Sequence, residues 1–178
     1  MTAKSILSSL GDDKRQQELT AIAGYLHDIG NVINRTSHAQ TGATLAMGIL
    51  EEIGMPFSEI VEIIAAIGNH HEEDGLPVSR IAAALILADK ADVHRSRVRS
   101  TRTLKTDIHD RVNYAVTRSK IKVNNEKNII TLNLDINTSF SSAMEYFEIF
   151  LLRMLVSKKA AQFLGSDFRL TINGNHLL

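Results

Sequence analysis

Apolar residues recur at helical spacing through the first half of the chain. Between Leu19 and Leu26 they lie three and four residues apart, which places them on one side of a helix. Asp12 or Asp13 can cap its start, and Gly30 suits its end. Three further segments have the same spacing, and the serines that can cap them are Ser37, Ser58 and Ser79. The pattern predicts four helices packed around a shared apolar core.

After Lys120 the apolar period shortens to two. Apolar and polar residues alternate in segments 121–123 and 129–136, and the polar segment 124–128 between them supplies a turn. Alternation on both sides of a short polar turn is typical of a β-hairpin. The hairpin marks the end of the helical part of the chain.

A long helix and one more strand complete the predicted fold. Ser141 or Ser142 can cap the helix, and alternation at 168–172 predicts the strand. The helix residues that we expect to face inward are Met144, Phe147, Phe150, Leu151, Met154 and Leu155. The predicted fold class is mainly α: a helical bundle over residues 1–118, followed by a small α+β portion (β-β-α-β) over residues 119–178.

The composition limits the chemistry and the partners. Twenty Lys and Arg residues balance twenty Asp and Glu residues, so no net charge draws the chain to nucleic acid or to an anionic membrane. Without cysteine, a metal ion would have to be held by His, Asp or Glu. No apolar run is long enough to cross a bilayer, and the first ten residues lack the layout of a secretion signal. We therefore expect a cytoplasmic protein.

Imidazole and carboxylate groups cluster at the predicted helix ends. The candidate ligands are His27, Asp28, His38, His70, His71 and Asp89. Each has an ordinary alternative: a histidine can cap a helix, and Asp89 can be a buried structural carboxylate. Together they favour a site for one or two divalent transition metals such as Mn, Fe, Co, Ni or Zn, with Asp28 as the bridge if there are two.

A basic stretch follows the last of these candidates. Arg95, Arg97 and Arg99 can bind a substrate phosphate, because guanidinium pairs with phosphate through two hydrogen bonds. The alternative is a solvated basic surface. For His94 we favour a capping role over a place in the site.

Four segments resemble the HD superfamily of metal-dependent phosphohydrolases, with partial similarity to its HD-GYP branch. They are 26–30 (LHDIG), 38–43 (HAQTGA), 70–75 (HHEEDG) and 87–92 (LADKAD). The resemblance implies that His27, Asp28 and Asp89 hold one metal, and that His38, His70 and His71, with Asp28 bridging, hold a second. It also implies hydrolysis of a phosphate ester, often in a nucleotide, with Asp28 and Asp89 as catalytic residues.

The sequence departs from the family pattern at three places. No histidine precedes His27 where relatives carry one, Asn31 stands where relatives often carry lysine, and the Gly-Tyr-Pro motif is absent. We expect either that upstream residues supply the earlier histidine or that the bundle lacks the first ligand helix. These departures motivate an alternative, a metal- or nucleotide-binding regulatory module with weakened or no catalysis.

The expected partner is a small phosphate ester or a nucleotide. The strands of the tail lack the aromatic pair that stacks RNA bases, which argues against nucleic acid. An exposed strand edge would make a homodimer plausible.

Overall fold

The computed structural model describes residues 2–73, 75–98 and 100–177, so the predicted phosphate ligand Arg99 lies outside the described residues. The helices before the sheet are α1 (Thr2–Leu10), α2 (Lys14–Leu26), α3 (His38–Glu52), α4 (Phe57–Gly68), α5 (Arg80–Lys90) and α6 (Ile108–Ala115). Short 3-10 turns lie at Ile29–Val32, Arg95–Arg97 and Thr101–Lys105.

The tail forms a four-stranded sheet with one long helix. Its elements are β1 (Val116–Asn124), β2 (Ile129–Ile136), α7 (Ala143–Phe163), β3 (Asp167–Ile172) and β4 (Asn175–His176). The strand order is β1-β2-β3-β4. The hairpin strands β1 and β2 are antiparallel, whereas α7 crosses over so that β3 runs parallel to β2. The mainly α fold with an α+β tail is confirmed. The short β4 was not predicted, and β1 begins before the predicted hairpin.

Local capping signals predicted several helix starts correctly. The side chain of Asp13 accepts a hydrogen bond from the backbone N–H of Gln16 at the start of α2. Ser79 caps α5 in the same way. Ser142 caps α7 in a reciprocal capping box with Glu145.

Two predicted caps are wrong, and one helix was missed. α4 begins at Phe57 after Pro56, so Ser58 lies inside the helix. Ser37 stands at the start of α3 in a left-handed conformation (φ 58°), and its side chain makes no capping hydrogen bond. α1 was not predicted, although it buries Ala3, Ile6 and Leu7. Nine residues with three buried positions are too few to give a clear period.

Helix α5 belongs to two apolar clusters at once. Its residues Ile81 and Leu85 pack with α2, α3 and α4 as the periodicity predicts, together with Ala82, whereas Ala88, expected on the same face, packs against the other cluster. Its residues Ile86 and Leu87 pack instead with α1, α6, α7 and the sheet. The second cluster therefore contains residues from both sides of the predicted division at residues 118 and 119. That division stays a prediction.

The predicted inward face of α7 is partly wrong. Phe150 and Met154 are buried as predicted, whereas Met144, Leu151 and Leu155 are 77%, 51% and 49% exposed. Apolar residues surround the whole helix, so the spacing alone could not single out the buried side. Within the described ranges no helix, α7 included, combines the length and the apolar character needed to cross a lipid bilayer.

Candidate metal centre

The ends of four helices meet at one point and bring the predicted ligands together. The Nε2 atom of His27 lies 3.6 Å from Oδ2 of Asp28 and 3.6 Å from Oδ1 of Asp89. The Nε2 atom of His38 lies 3.5 Å from Oδ1 of Asp28. His70 Nε2 lies 4.0 Å from the same oxygen and 3.2 Å from His38 Nε2. The end of α2 thus contributes His27 and Asp28, and each of the other three helix ends contributes one donor to a single cluster.

Backbone carbonyl groups orient the three imidazole rings. The Nδ1–H groups of His27, His38 and His70 donate to the carbonyl oxygens three residues earlier, at 2.9, 2.9 and 2.6 Å. With Nδ1 protonated, the lone pair of each neutral ring is on Nε2, the atom that faces the cluster. Metal-binding histidines are commonly oriented in this way, because the second hydrogen bond selects the tautomer.

The spacing of the donors fits a transition metal. Two lone pairs that face each other across the 3.2 Å between His38 Nε2 and His70 Nε2 repel, unless a proton or a cation lies between them. Two nitrogen ligands on one Zn²⁺ are about 2.9 to 3.4 Å apart, depending on the angle between the two bonds. Imidazole together with carboxylate is a donor set that suits borderline divalent ions.

Asp28 stands between the imidazoles, and its position depends on Gly30. One oxygen faces His27 and the other faces His38 and His70. The Asn31 side-chain amide donates to Oδ1 of Asp28 at 2.9 Å. A Cβ atom on Gly30 would lie 2.0 Å from the carbonyl oxygen of His38, so only glycine lets this turn approach α3 so closely.

A row of alternating charges holds Asp89. Its Oδ2 accepts a hydrogen bond from Nζ of Lys90 at 2.6 Å, and Lys90 also donates to Oε2 of Glu72 at 2.5 Å. The Nε–H of Arg153 on α7 donates to the other oxygen of Glu72 at 3.3 Å. The Lys90 side chain is only 3% exposed, so its charge is stabilised by these two carboxylates. The row connects the centre to the tail.

The surroundings shift the pKa values of Asp89, His70 and His27 in different ways. Burial alone would raise the pKa of Asp89, but its contact with His27 and the charge of Lys90 outweigh burial and hold that pKa well below its usual range. Burial lowers the pKa of His70 to about 4. Burial also acts to lower the pKa of His27, yet Asp89 and Asp28 raise it overall. At neutral pH, Asp89 is therefore ionised and His70 is neutral, as a metal ligand must be.

Two wide cavities border the cluster, and a third, of only about 30 Å³, is lined in part by the ligands themselves. The larger, of about 790 Å³, begins at His27, Asp28 and Asp89 and extends between α1 and β1, past Arg97 and Lys120. The smaller, of about 390 Å³, is next to His38 and His71, whose ring centroids are 5.2 Å apart. His71 therefore lies beside His38, at the edge of the cluster.

The predicted phosphate-binding arginines are separated. Arg97 lies on the wall of the large cleft and pairs with Asp92. The Arg95 guanidinium lies 5.2 Å above the Tyr114 ring, and Arg95 is not among the residues that line the cleft. A phosphate-binding role for these residues stays a prediction. His94 lines the large cleft, and its ring accepts a hydrogen bond from the backbone N–H of Ser96 at the start of the 3-10 turn Arg95–Arg97. It thus caps this turn and not helix α5, and the preference for capping over a place in the site stays a prediction.

Sequence reasoning missed the groups that surround the ligands. Lys90 could have been noticed as a second charged residue at the end of the same apolar helix as Asp89. Glu72 directly follows two candidate histidines and was not singled out as a partner of the site. Arg153 lies 81 residues further along the chain, so the sequence did not indicate that it contacts Glu72. Asn31 was noted only as a departure from the family pattern, yet it orients Asp28.

Comparison with known proteins agrees with this geometry. The family model for the HD domain matches residues 1–95. An uncharacterised protein of Methanocaldococcus jannaschii is 33% identical over 120 residues, which cover 62% of this chain and 46% of that protein. Ribonuclease Y of Lawsonia intracellularis is 40% identical over 70 residues, which cover 38% of this chain and 12% of that enzyme. The chain thus matches less than half the length of these relatives, and no solved structure matches it. The chain belongs to the HD domain family, within the superfamily of metal-dependent phosphohydrolases.

Proposed function

We propose that this chain hydrolyses a phosphate ester in a nucleotide-sized substrate with the help of one or two divalent transition metals. The observation that carries the proposal is the convergence of three Nε2 lone pairs, each oriented by a backbone carbonyl, on Asp28 and the ionised Asp89. Such a donor set has no evident structural purpose without a cation, because it places lone pairs and negative charge together.

The ligands divide into two groups that share Asp28. His27, Asp28 and Asp89 would hold one ion, while His38, His70 and Asp28, with His71 at the edge, would hold a second. The division is supported by the two oxygens of Asp28, which face different imidazoles. When bound, such ions act as Lewis acids on a phosphoryl oxygen and make water a better nucleophile at neutral pH.

Residues beside the ligands supply positive charge for the phosphoryl group. A narrow cavity of about 30 Å³ at the cluster is bordered by the basic side chains of Arg35, Lys90, Arg97 and Arg153. Guanidinium groups bind phosphate oxygens bidentately, so they can orient the ester and stabilise charge that develops on it. Lys90 also keeps Asp89 in its ionised form.

The large cleft sets the size of the substrate. Its volume of about 790 Å³ falls within the range of small-molecule pockets and is ample for a nucleotide. The likeness to Ribonuclease Y adds short RNA phosphodiesters to the substrates to be tested. The alternative is a regulatory module that binds metal and nucleotide without turnover, which the absent upstream histidine and Asn31 favour.

The test combines metal content with turnover. Metal analysis of the purified full chain should find a transition metal, and added Mn²⁺, Co²⁺ or Ni²⁺ should support release of product from a panel of nucleotides, phosphodiesters and short RNA. The variant Asp28→Asn should lose both properties, whereas His176→Ala, an exposed histidine at the other end of the chain, should keep them. Nucleotide binding without turnover would favour the regulatory module. Absence of both metal and turnover would contradict the proposal.

A further inference from the structure

The long helix α7 is apolar on the side that faces away from the protein. Its buried side places Tyr146, Phe150 and Met154 in the core. On the opposite side, five large apolar residues are about half exposed or more: Met144 (77%), Leu151 (51%), Leu152 (52%), Leu155 (49%) and Phe163 (46%). A helix that is apolar all round is normally covered all round. The outer side of α7 therefore has the character of a covered surface.

The exposed residues are arranged symmetrically along the helix. We define the outer face as Met144, Glu148, Leu151, Leu152, Leu155, Lys159 and Phe163, all of which are exposed. About the midpoint between residues 153 and 154, Leu152 mirrors Leu155 and Glu148 mirrors Lys159. Met144 mirrors Phe163 in the same way. An acidic residue thus mirrors a basic one and apolar residues mirror apolar ones, except at Leu151, whose mirror position Val156 is buried.

We propose that the outer face of α7 is a homodimer interface in which two copies of the helix pack antiparallel. A two-fold axis through the midpoint places each position opposite its mirror position in the second copy, so that residue i contacts residue j and j contacts i, as in any isologous interface. Glu148 then faces Lys159 of the second copy, and this pairing occurs twice. A parallel pair would instead place like charges together, so the charges select the antiparallel arrangement. The inference does not depend on the proposed function.

The size of the outer face sets the strength of the dimer. From residue 144 to residue 163 the helix is roughly 28 Å long, and a helix is about 10 Å wide, which gives a strip of roughly 300 Å². A standard stable interface buries about 800 Å² on each partner. The dimer is therefore reversible and depends on protein concentration.

Sedimentation equilibrium of the full chain over a wide micromolar range tests the proposal. The wild type should shift from monomer to dimer as concentration rises. Leu152→Glu places a charge near the two-fold axis of the exposed face and should keep the chain monomeric, with unchanged metal content and circular dichroism. Lys122→Glu, an exposed charge reversal on β1, is the matched control and should dimerise like the wild type.

Charge reversal tests the antiparallel arrangement specifically. Glu148→Lys and Lys159→Glu should each weaken dimerisation roughly tenfold, because each creates two like-charge pairs across the axis. The double variant Glu148→Lys/Lys159→Glu should restore the wild-type dissociation constant. A monomeric wild type at all concentrations would overturn the proposal. So would a dimer that survives Leu152→Glu but is lost in Lys122→Glu, since the interface would then be the edge of the sheet.

Discussion

The imidazole side and the carboxylate side of the candidate metal centre are held in different ways. Each of the three inner histidines is oriented by a carbonyl group three residues earlier in the same helix end. Asp89 depends on Lys90, Glu72 and Arg153, which come from three separate segments. The imidazoles are therefore set by local backbone geometry, whereas the position and charge of Asp89 are set by tertiary contacts. Substitutions on the imidazole side should therefore mainly lower metal affinity, whereas those around Asp89 should mainly lower the stability of the metal-free protein.

The largest effect is expected on the carboxylate side, from Lys90→Met. Removal of the lysine leaves Asp89 and Glu72 facing each other without the ammonium group that bonds to both, and breaking a buried charge pair costs about 3–5 kcal/mol. Urea denaturation of the metal-free protein should show this loss. Added Mn²⁺ or Zn²⁺ should recover part of it, because a bound metal neutralises Asp89. Lys122→Met, an exposed site, should change the free energy of unfolding little. Equal losses in both variants would contradict the role of Lys90.

On the imidazole side, His70→Ala should weaken metal binding more than about 100-fold, since even a lost second-shell partner costs 10- to 100-fold. Stability of the metal-free protein should change less than in Lys90→Met, because His70 is neutral there and leaves no unpaired charge. Isothermal titration calorimetry measures the affinity, with His176→Ala as the control. Undiminished metal affinity in His70→Ala would remove this histidine from the centre.

The third-largest effect is expected at acidic pH, where protonation of Glu72 should lower the free energy of unfolding. Burial alone would raise the pKa of Glu72, but Lys90 and Arg153 lower it from 4.5 to about 2. A lowered carboxyl pKa stabilises the folded state above its unfolded value, and this contribution is lost as pH falls from 4.5 toward 2. The metal-free wild type should lose roughly 2 kcal/mol more than Glu72→Gln between pH 6 and pH 3, because each pKa unit is about 1.4 kcal/mol and pH 3 lies roughly 1.5 units below the unfolded pKa. If the free energies of unfolding of the two proteins changed in parallel with pH, the stabilising contacts of Glu72 with Lys90 and Arg153 would be contradicted.

The smallest effect is expected from Asn31→Ala. Its amide orients Asp28, whose side chain is half exposed, so another rotamer can replace the contact. Metal affinity should fall about tenfold, the lower end for a partner of a ligand. Calorimetry alongside Asn34→Ala, a neighbouring exposed amide, gives the comparison. A loss as large as that of His70→Ala would mean that Asn31 does more than orient Asp28.

Sequence patterns predicted the local features well. Asp13, Ser79 and Ser142 cap the helices that they were expected to cap, because capping involves only residues within one helical turn. The predicted ligands His27, Asp28, His38, His70 and Asp89 do lie together, since each stands at or near a helix end and those ends converge. Ser58 failed as a cap because Pro56 already sets the start of α4.

Long-range features were not predictable in the same way. The mirrored exposed residues of α7 look like core residues in the sequence, and Met144, Leu151 and Leu155 were assigned to the wrong side for that reason. Which side of an all-round apolar helix is covered depends on the elements that pack against it, here α5 and β3. Likewise, the sequence did not indicate that the Arg95 guanidinium lies over the Tyr114 ring.

The sequence by itself therefore determined the order of the main elements, the caps of α2, α5 and α7, and the set of candidate metal ligands. These features follow from periodicity and from hydrogen bonds between residues a few positions apart. Only the tertiary structure decided that α5 serves two apolar clusters, that Arg153 reaches Glu72 beside the centre, and that α7 keeps an apolar face outward. Each of these depends on groups far apart in the chain, whose meeting is set by the packing of the whole fold.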